Sequence, residues 1–400
     1  MRSLSTENIY KQDIDHYFNM SDSVMNVRNG LLNGIASDRC TSCLDAEKKS
    51  TFHFRSRRNL QFGIFPDKDF QQSFKESPIQ RVINDKDKKP YFYHVSLSNL
   101  CNLGCVMCSP KDSSHLGKLM SQVGMLNKDT KILTDWTTDT KVWNGFLNHI
   151  LSNKQIQCFH FMGGEPLYHK KFYEFIDFCV EQKHTDFHIT FVSNATIVPD
   201  MEYINKLKKF KSVQIEISIE NFDLSNDYVR HPSNHVKTEE NLKKYNSFSN
   251  ETFSLVIRTV PQFLTLFKYD DLLNWCLENK VCVDSNIIAS PNFFTPTLLP
   301  ADIKKQIISK LSHYIMDPND IDNILAINIR DTFNYKKNIS ENAKMIINSL
   351  QQPVDDVETL NRQAVEYCAK LDRQRKLHIK DYIPEILPLF EKHGYDKLVG

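Results

Sequence analysis

The sequence predicts an α/β protein built on a parallel sheet, because strand-like and helix-like segments alternate between about residues 90 and 290. Repeated strand–helix–strand units favour a parallel sheet with right-handed crossovers. In addition, VQIEISIE (213–220) alternates apolar and polar residues, whereas parallel strands covered on both faces are almost wholly apolar. One face of the sheet is therefore expected to pack on helices. The other face either meets solvent or lines a barrel-like lumen that holds a ligand.

Six segments have the residue pattern of strands. They are FYHVSLSN (92–99), IQCFHF (156–161), FHITFVS (187–193), VQIEISIE (213–220), FSLVIRTV (253–260) and CVDSNIIA (282–289). Asp200 can cap a helix between the third and fourth strands. The residues expected on the buried face of that helix are Met201, Ile204, Leu207 and Phe210. Between the fourth and fifth strands, Glu239 and Glu240 each precede a lysine by four residues, which supports a second helix.

The region after about residue 296 is expected to be mainly helical. Two apolar stripes at helical spacing support this, and they should face the core. The stripes are Ile303, Ile307, Leu311, Ile315 and Leu360, Ala364, Cys368, Leu371.

Length and composition restrict the class of protein. The chain has 400 residues, enough for two or three domains, and its net charge of +1 argues against nucleic acid or a membrane surface as a partner. The first residues lack a secretory signal, and no apolar run approaches the ~18 residues of a membrane span. We therefore expect a cytoplasmic protein whose ten cysteines stay reduced. Five of them stand singly among apolar residues and are expected to be buried: Cys158, Cys179, Cys276, Cys282 and Cys368.

Three cysteines lie close together just past the first predicted strand. Cys101, Cys105 and Cys108 occur within SLSNLCNLGCVMCSP (96–110). Ligands of parallel α/β sheets bind at the carboxyl ends of the strands, so this is where chemistry is expected. Structural zinc takes four ligands, and an iron–sulfur cluster normally takes four thiolates. Three thiolates would leave one iron of a [4Fe-4S] cluster open to a second molecule, although a zinc half-site has the same spacing.

A second motif follows the second predicted strand. The segment FMGGEPLYH contains Gly163, Gly164, Glu165 and Pro166. Two glycines allow a ligand to approach the backbone closely, and unpaired N–H groups with a carboxylate can hold an amine. An ordinary strand-to-helix turn would favour the same residues.

In this order, the two motifs resemble the radical S-adenosylmethionine (SAM) superfamily. The resemblance covers about residues 90–290 and implies a six-stranded partial (β/α) barrel as the radical SAM core. It also implies one [4Fe-4S] cluster bound by Cys101, Cys105 and Cys108. The amino and carboxylate groups of SAM would chelate the open iron, and the segment from Gly163 to Pro166 would contact the amino group.

Further SAM contacts follow from the same resemblance. SNAT after the third strand resembles the family's T-N-G-T, and SIEN after the fourth resembles S-x-D-G. These matches make Asn194, Ser218 and Glu220 candidates for the ribose and methionine ends of SAM. Arg230, in DYVRHP, is a candidate partner for the SAM carboxylate. The departures from the family pattern are Met107 in place of an aromatic residue, Ala195 and Asn221 in place of glycines, and Glu220 in place of Asp.

The resemblance implies an enzyme that cleaves SAM reductively to a 5′-deoxyadenosyl radical, which abstracts a hydrogen from a substrate. It also implies an external one-electron donor of the flavodoxin or ferredoxin type. A peptide or protein is the expected substrate. The alternatives are a small metabolite or nucleoside, or a degenerate barrel that binds SAM without catalysis.

The flanking segments resemble those of the twitch-domain-containing radical SAM group. Three regions are predicted: an N-terminal twitch-like region (1–88), the core (89–295) and a helical C-terminal region (296–400). The first contains CTSC, in which Cys40 and Cys43 form either a metal site or a reduced turn. A closed metal site needs two more ligands. We therefore expect no complete second [4Fe-4S] cluster.

Overall fold

The computed structural model describes residues 14–32, 89–126, 135–288, 290–316 and 334–400. The prediction for Cys40 and Cys43 lies outside these residues. The chain divides into two units, residues 1–93 with 138–157 and residues 94–137 with 158–400. The boundaries of the three predicted regions (1–88, 89–295 and 296–400) stay predictions.

Six strands form one open sheet and lie side by side in their order along the chain. They are β1 Phe92–Ser96, β2 Cys158–Met162, β3 His188–Ser193, β4 Ser212–Ser218, β5 Phe253–Thr259 and β6 Cys282–Ser285. Consecutive strands from β2 to β6 pair in parallel. The predicted fold class, a partial α/β barrel with a helical C-terminal region, is confirmed.

Helices occupy the connections between strands and most of the described C-terminal region. In chain order they are α1 Ile14–Met20, α2 Asp22–Leu32, α3 Ser114–Gln122, α4 Thr140–Ser152, α5 Lys170–Glu181, α6 Met201–Leu207, α7 Leu224–Val229, α8 His235–Ser247, α9 Tyr269–Asn279, α10 Ala301–Ser312, α11 Tyr335–Leu350, α12 Val357–Arg375, α13 Leu387–Lys392 and α14 Tyr395–Val399. Within the ranges the structure describes, every helix is too short or too polar to traverse a bilayer.

The first unit contains α1, α2 and α4 among its described residues. His149 of α4 joins two of its parts. Its Nε2 lies 2.6 Å from the Tyr93 hydroxyl, and its Nδ1 lies 3.2 Å from Asp15 Oδ2. Asn153 Nδ2 also donates to the Tyr93 hydroxyl at 2.8 Å. These contacts link α1 and α4 to the chain segment that enters β1.

Aromatic packing between the sheet and α5 forms part of the core of the second unit. Phe161 of β2 lies 5.2 Å from Phe172 and 5.1 Å from Phe175, measured between ring centroids. Phe191 of β3 lies 5.1 Å from Phe172. All four rings are fully buried. Because side chains alternate along a strand, this packing turns the neighbouring residues of β2 and β3 to the opposite face.

The opposite face of the sheet is polar. Arg258 of β5 donates to Glu216 of β4 at 2.5 Å and to Asp284 of β6 at 3.2 Å. On β2 and β3, His160 Nδ1 lies 2.6 Å from Thr190 Oγ1. In a partial barrel this face lines the inner side of the sheet. The alternation of polar and apolar residues in VQIEISIE therefore marks the lumen.

Most local predictions agree with the structure. Asp200 caps α6, accepting from the Tyr203 N–H at 2.8 Å, and Glu239 pairs with Lys243 at 2.6 Å in α8. Two predicted core residues are wrong. Met201 is 53% exposed because it is the first residue of α6, and Ile315 is 39% exposed because α10 has already ended at Ser312. Of the five single cysteines, four are buried and Cys158 is partly exposed.

Candidate functional site

The three clustered cysteines lie in the loop after β1, at the carboxyl end of the sheet. Cys105 is buried, and Cys101 and Cys108 are partly buried. Burial raises the pKa of the Cys101 thiol to about 12, and it also raises the pKa of Cys105 and of Cys108. The charge of Cys105 raises the pKa of both other thiols further, so the three interact electrostatically. Thiols with raised pKa values stay protonated at neutral pH and lose their protons when they bind a metal.

Two nitrogen donors point at the sulfur atoms. Asn194 Nδ2 lies 4.0 Å from Cys101 Sγ, and Arg230 Nη1 lies 3.8 Å from Cys105 Sγ. A positive charge stabilises a thiolate, and hydrogen bonds to sulfur are among the factors that set the potential of an iron–sulfur cluster. The three thiols with these donors therefore fit an iron–sulfur cluster.

Single-metal coordination is a weaker fit. Within the described ranges, no group of three or more His, Cys, Asp or Glu side chains is arranged to hold one metal ion. A structural zinc site brings four ligands to one ion. In a cluster, by contrast, each thiolate binds a different iron, and the sulfur atoms stand further apart. Among the described residues, the three thiols therefore do not form a complete zinc site.

The backbone of the cysteine loop is tied to the end of α7. The Gly104 N–H donates to the His231 carbonyl at 2.7 Å, and the Val106 N–H donates to the Val229 carbonyl at 2.8 Å. These amides lie on either side of Cys105. The position of its sulfur therefore depends on a segment more than a hundred residues away along the chain.

The two glycines after β2 are required by the protein's own packing. Gly163 has a φ of 78° and Gly164 a φ of 59°, in the left-handed region that favours glycine. A Cβ on Gly163 would stand 2.0 Å from Ser96 Oγ, and one on Gly164 would stand 2.3 Å from the Leu100 carbonyl oxygen. The turn thus packs directly against the segment that leads into Cys101.

The expected unpaired N–H groups are not found at two positions of this turn. The Gly164 N–H donates to the Asp112 carbonyl at 2.9 Å, and the Glu165 N–H donates to the Leu100 carbonyl at 2.8 Å. That part of the sequence interpretation is wrong, because the amides hold the cysteine loop. Pro166 follows as the first residue of a short 3₁₀ helix.

The Glu165 carboxylate is buried and accepts from two backbone N–H groups. Oε1 accepts from Leu167 at 3.1 Å, and Oε2 accepts from Asn194 at 2.6 Å. Burial raises the pKa of Glu165 to about 7, and these hydrogen bonds limit the increase. Glu165 therefore joins the end of β2 to the end of β3.

Polar side chains after β3 connect to the cysteine loop. Asn194 Nδ2 donates to Asn102 Oδ1 at 2.8 Å, and Asn194 Oδ1 accepts from the Thr196 hydroxyl at 2.6 Å. Asn102 Nδ2 donates to the same hydroxyl at 2.8 Å. Between them, Ala195 has a φ of 57°. It keeps the left-handed conformation although it replaces the glycine of the family pattern.

Glu220 and Arg230 form a buried ion pair after β4. Glu220 Oε1 accepts from Arg230 Nε at 3.1 Å, and from Nη2. Glu220 Oε2 accepts from the Thr259 hydroxyl and the Val260 N–H, each at 2.8 Å. Although burial alone lowers the pKa of Arg230, the Glu220 charge raises it above its ordinary value. Both carboxylate oxygens of Glu220 are thus held by the protein.

Two further residues near the end of β4, Asn221 and Ser218, differ in burial and in hydrogen bonding. Asn221 is buried, and its Nδ2 donates to Ser225 Oγ at 2.9 Å and to the Thr265 carbonyl at 2.5 Å. Ser218 is partly exposed at the end of β4, opposite Arg258 in register. In the part of the chain that the structure describes, Ser218 makes no hydrogen bond to the other predicted site residues. The hydrogen bonds of the described residues thus join the cysteine loop to Asn194 and Arg230.

The comparison with protein families gives one match. The sequence model described as Radical SAM superfamily matches residues 95–261. This segment, which is less than half of the chain, is similar to radical SAM domains. The match begins within β1 and ends just past β5, so it includes the cysteine loop, the Gly163–Pro166 turn and the Glu220–Arg230 pair.

Several solved structures resemble the chain. SuiB from Streptococcus suis bound to S-adenosylmethionine is 15% identical, with a TM-score of 0.36, covering 70% of this chain and 61% of SuiB. Native anSMEcpe with bound AdoMet is 15% identical, with a TM-score of 0.41, covering 58% and 62%. Native anSMEcpe with bound AdoMet and Cp18Cys peptide is 14% identical, with a TM-score of 0.39, covering 56% and 60%. The matches span about three fifths of these chains. No curated protein matches the sequence.

Sequence reasoning missed three residues at the cysteine loop. Asn102 lies within the motif, and its neighbours could have drawn attention to it. Tyr367 and Arg375 belong to α12, and their side chains donate to the carbonyls of Val106 and Gly104. No sequence signal marks contacts over such a separation.

Replacing Gly164 with alanine is expected to reduce both iron content and SAM binding. The new Cβ would collide with the Leu100 carbonyl, next to Cys101, and a non-glycine residue in this conformation costs roughly 1–2 kcal/mol. Iron analysis and SAM binding of anaerobically reconstituted protein test this. Gly145→Ala is the control, since a Cβ at Gly145 of α4 meets nothing within 4 Å. A Gly164→Ala protein with full iron content would contradict the expectation.

Replacing Glu165 with glutamine is expected to change how stability depends on pH. The folded-state pKa, about 7, lies above the ordinary value of 4.5. The stabilising contribution is therefore complete below pH 4.5 and is lost as pH rises through 7, a loss of about 3 kcal/mol. Glutamine mimics the protonated form and should remove this loss. Urea unfolding of metal-free protein between pH 5.5 and 8 measures it, with exposed Glu174→Gln as control. An unchanged pH slope in Glu165→Gln would refute the assignment.

Proposed function

We propose that this protein is a radical SAM enzyme with a [4Fe-4S] cluster bound by Cys101, Cys105 and Cys108. The observation that carries the proposal is the cysteine loop itself, within a segment similar to radical SAM domains. Its three thiols interact electrostatically and face N–H donors from Asn194 and Arg230. When bound, the reduced cluster supplies the electron that splits SAM into methionine and a 5′-deoxyadenosyl group, which takes a hydrogen atom from the substrate. An external donor of the flavodoxin or ferredoxin type supplies that electron.

The chain's own residues hold this site in shape. The Gly163–Pro166 turn supports the loop from the β2 side, and Asn194 supports it from the β3 side. The Glu220–Arg230 pair supports it from the β4 side and directs a positive charge at Cys105. We retain these residues and Ser218 as the SAM-binding set, since Arg230 pairs with Glu220 and the others lie at the carboxyl ends of neighbouring strands.

A peptide or protein is the proposed substrate. The six-stranded sheet does not close into a full barrel, so its polar inner face leaves room for a substrate. That face carries Arg258 between Glu216 and Asp284, two carboxylates against one guanidinium. Charged side chains on this face can bind the polar backbone of a peptide. A cytoplasmic location and membership of the twitch-domain-containing group belong to the same proposal. The reducing cytoplasm would keep the ten cysteines as thiols.

Anaerobic reconstitution with iron and sulfide, followed by dithionite and SAM, tests the proposed function. Formation of 5′-deoxyadenosine is expected even without substrate, and a peptide mixture should accelerate it more than a nucleoside mixture. SAM binding without cleavage under several reductants would identify a degenerate SAM-binding barrel instead. Greater acceleration by nucleosides would overturn the peptide assignment alone.

A further inference from the structure

Two side chains of α12 reach the cysteine loop on either side of Cys105. The Tyr367 hydroxyl donates to the Val106 carbonyl at 3.1 Å, and Arg375 Nη2 donates to the Gly104 carbonyl. The N–H groups of Gly104 and Val106 are already held by the chain around the end of α7. The residues flanking Cys105 therefore have both backbone polar groups fixed, the N–H groups from one side and the carbonyls from α12.

Arg375 also brings a buried positive charge to the loop. The residue is only 9% exposed, and its Nη2 donates to the carbonyl of Gly104, the residue directly before Cys105. Within the described residues, Arg375 Nε and Nη1 have no hydrogen-bond partner. Its charge is thus little offset by local hydrogen bonding and remains close to the Cys105 thiol.

The nearest carboxylate on α12 interacts with the charge of Arg375 and also accepts hydrogen bonds from two tyrosines. Asp372 lies one turn before Arg375, and its Oδ2 accepts from the hydroxyls of Tyr228 at 2.8 Å and Tyr395 at 2.5 Å. These hydrogen bonds anchor α12 to α7 and α14. This anchoring fixes the position of α12, and therefore the positions from which Tyr367 and Arg375 contact the cysteine loop.

We infer that Tyr367 and Arg375 are positioning residues of the iron–sulfur site, through which the C-terminal region controls the potential of the cluster. The inference rests on the proposed function, since it takes Cys105 as a cluster ligand. Both residues hold the loop that carries Cys105, and the Arg375 charge stabilises the reduced cluster, which is the more negative form. Hydrogen bonding and charge near the sulfur atoms are established determinants of such potentials.

The electrostatic part is tested by redox titration of reconstituted protein followed by electron paramagnetic resonance. Arg375→Gln should lower the ratio of reduced to oxidised cluster about tenfold at a fixed potential, which is a shift of about 59 mV for one electron. Arg375→Lys keeps the charge and should restore most of that ratio. Arg373→Gln, an exposed change of equal charge on the same helix, should have no effect. An unchanged potential in Arg375→Gln would overturn the electrostatic role.

The positioning part is tested by hydrogen exchange of metal-free protein, which does not depend on the cluster. Tyr367→Phe removes one hydroxyl and should speed exchange in the peptide spanning residues 101–108 severalfold. Tyr314→Phe is the matched control, since the Tyr314 hydroxyl donates to Asp270 and Asn274 instead. Circular dichroism verifies that each variant is folded.

The outcomes separate this inference from the proposed function. If wild-type protein binds no iron after reconstitution, the proposed function is refuted. The hydrogen-exchange result would still test the contact between α12 and the cysteine loop. Normal iron in wild-type protein, with unchanged exchange and potential in both variants, would refute the inference alone.

Discussion

Replacing Cys101, Cys105 and Cys108 together with alanine is expected to abolish iron binding by the anaerobically prepared protein. Wild-type protein should hold about four irons per chain, as expected for one [4Fe-4S] cluster. The variant should hold almost none, because the three thiols of the loop are the only cluster ligands that we assign. Iron and sulfide analysis, with the visible absorbance of the cluster, measures the loss.

A Cys40→Ala/Cys43→Ala variant is the control for this experiment. It should keep the same iron content, since we expect no complete second cluster on that pair. Full iron in the triple variant would refute the central assignment. About eight irons in wild-type protein, half of them lost in the Cys40/Cys43 variant, would show that the N-terminal region carries a second cluster.

Removing the charge of Glu220 is expected to destabilise the protein by about 3–5 kcal/mol, because Arg230 would then keep an unpaired charge in the interior. Urea unfolding of metal-free Glu220→Gln protein measures this cost. The fully buried carboxylate also accepts from Thr259 and Val260, so the change weakens the link between β4 and β5 as well.

A double-mutant cycle isolates the contribution of the pair. Glu220→Met/Arg230→Met should cost less than the sum of the two single changes, since neither charge is left unpaired. Glu239→Gln in α8 is the control, because its partner Lys243 is 62% exposed and the loss should be below about 1 kcal/mol. If Glu220→Gln and Glu239→Gln lower the free energy of unfolding equally, the buried pair stabilises the protein no more than the exposed one.

The strands and the order of the motifs could be predicted because their signals are local. Apolar residues of β4 alternate with polar ones, and the period alone identifies a strand with two unlike faces. The cysteine loop and the Gly163–Pro166 turn each follow a strand directly along the chain. Parallel strands place their carboxyl ends at one edge, so the motifs had to meet there.

The contacts that individual site residues make were harder to predict. The sequence interpretation assigned Gly163 and Gly164 to ligand approach, whereas the structure shows them packed against Ser96 and Leu100. A glycine has no side chain to indicate what approaches it, so only the coordinates distinguish a ligand from the protein's own backbone. Likewise, the sequence marked Glu220 and Arg230 as separate SAM contacts, and the structure pairs them with each other.

By itself, the sequence determined the six strand segments and the loop that carries the three cysteines, because each depends on residues near one another along the chain. Only the tertiary structure decided what surrounds that loop. Arg375 and Gly104 are 271 positions apart, and their contact depends on how α12 packs against the end of the sheet. Such contacts arise from the packing of whole elements, and no local pattern of residue types encodes which side chain of a distant helix will reach a given carbonyl.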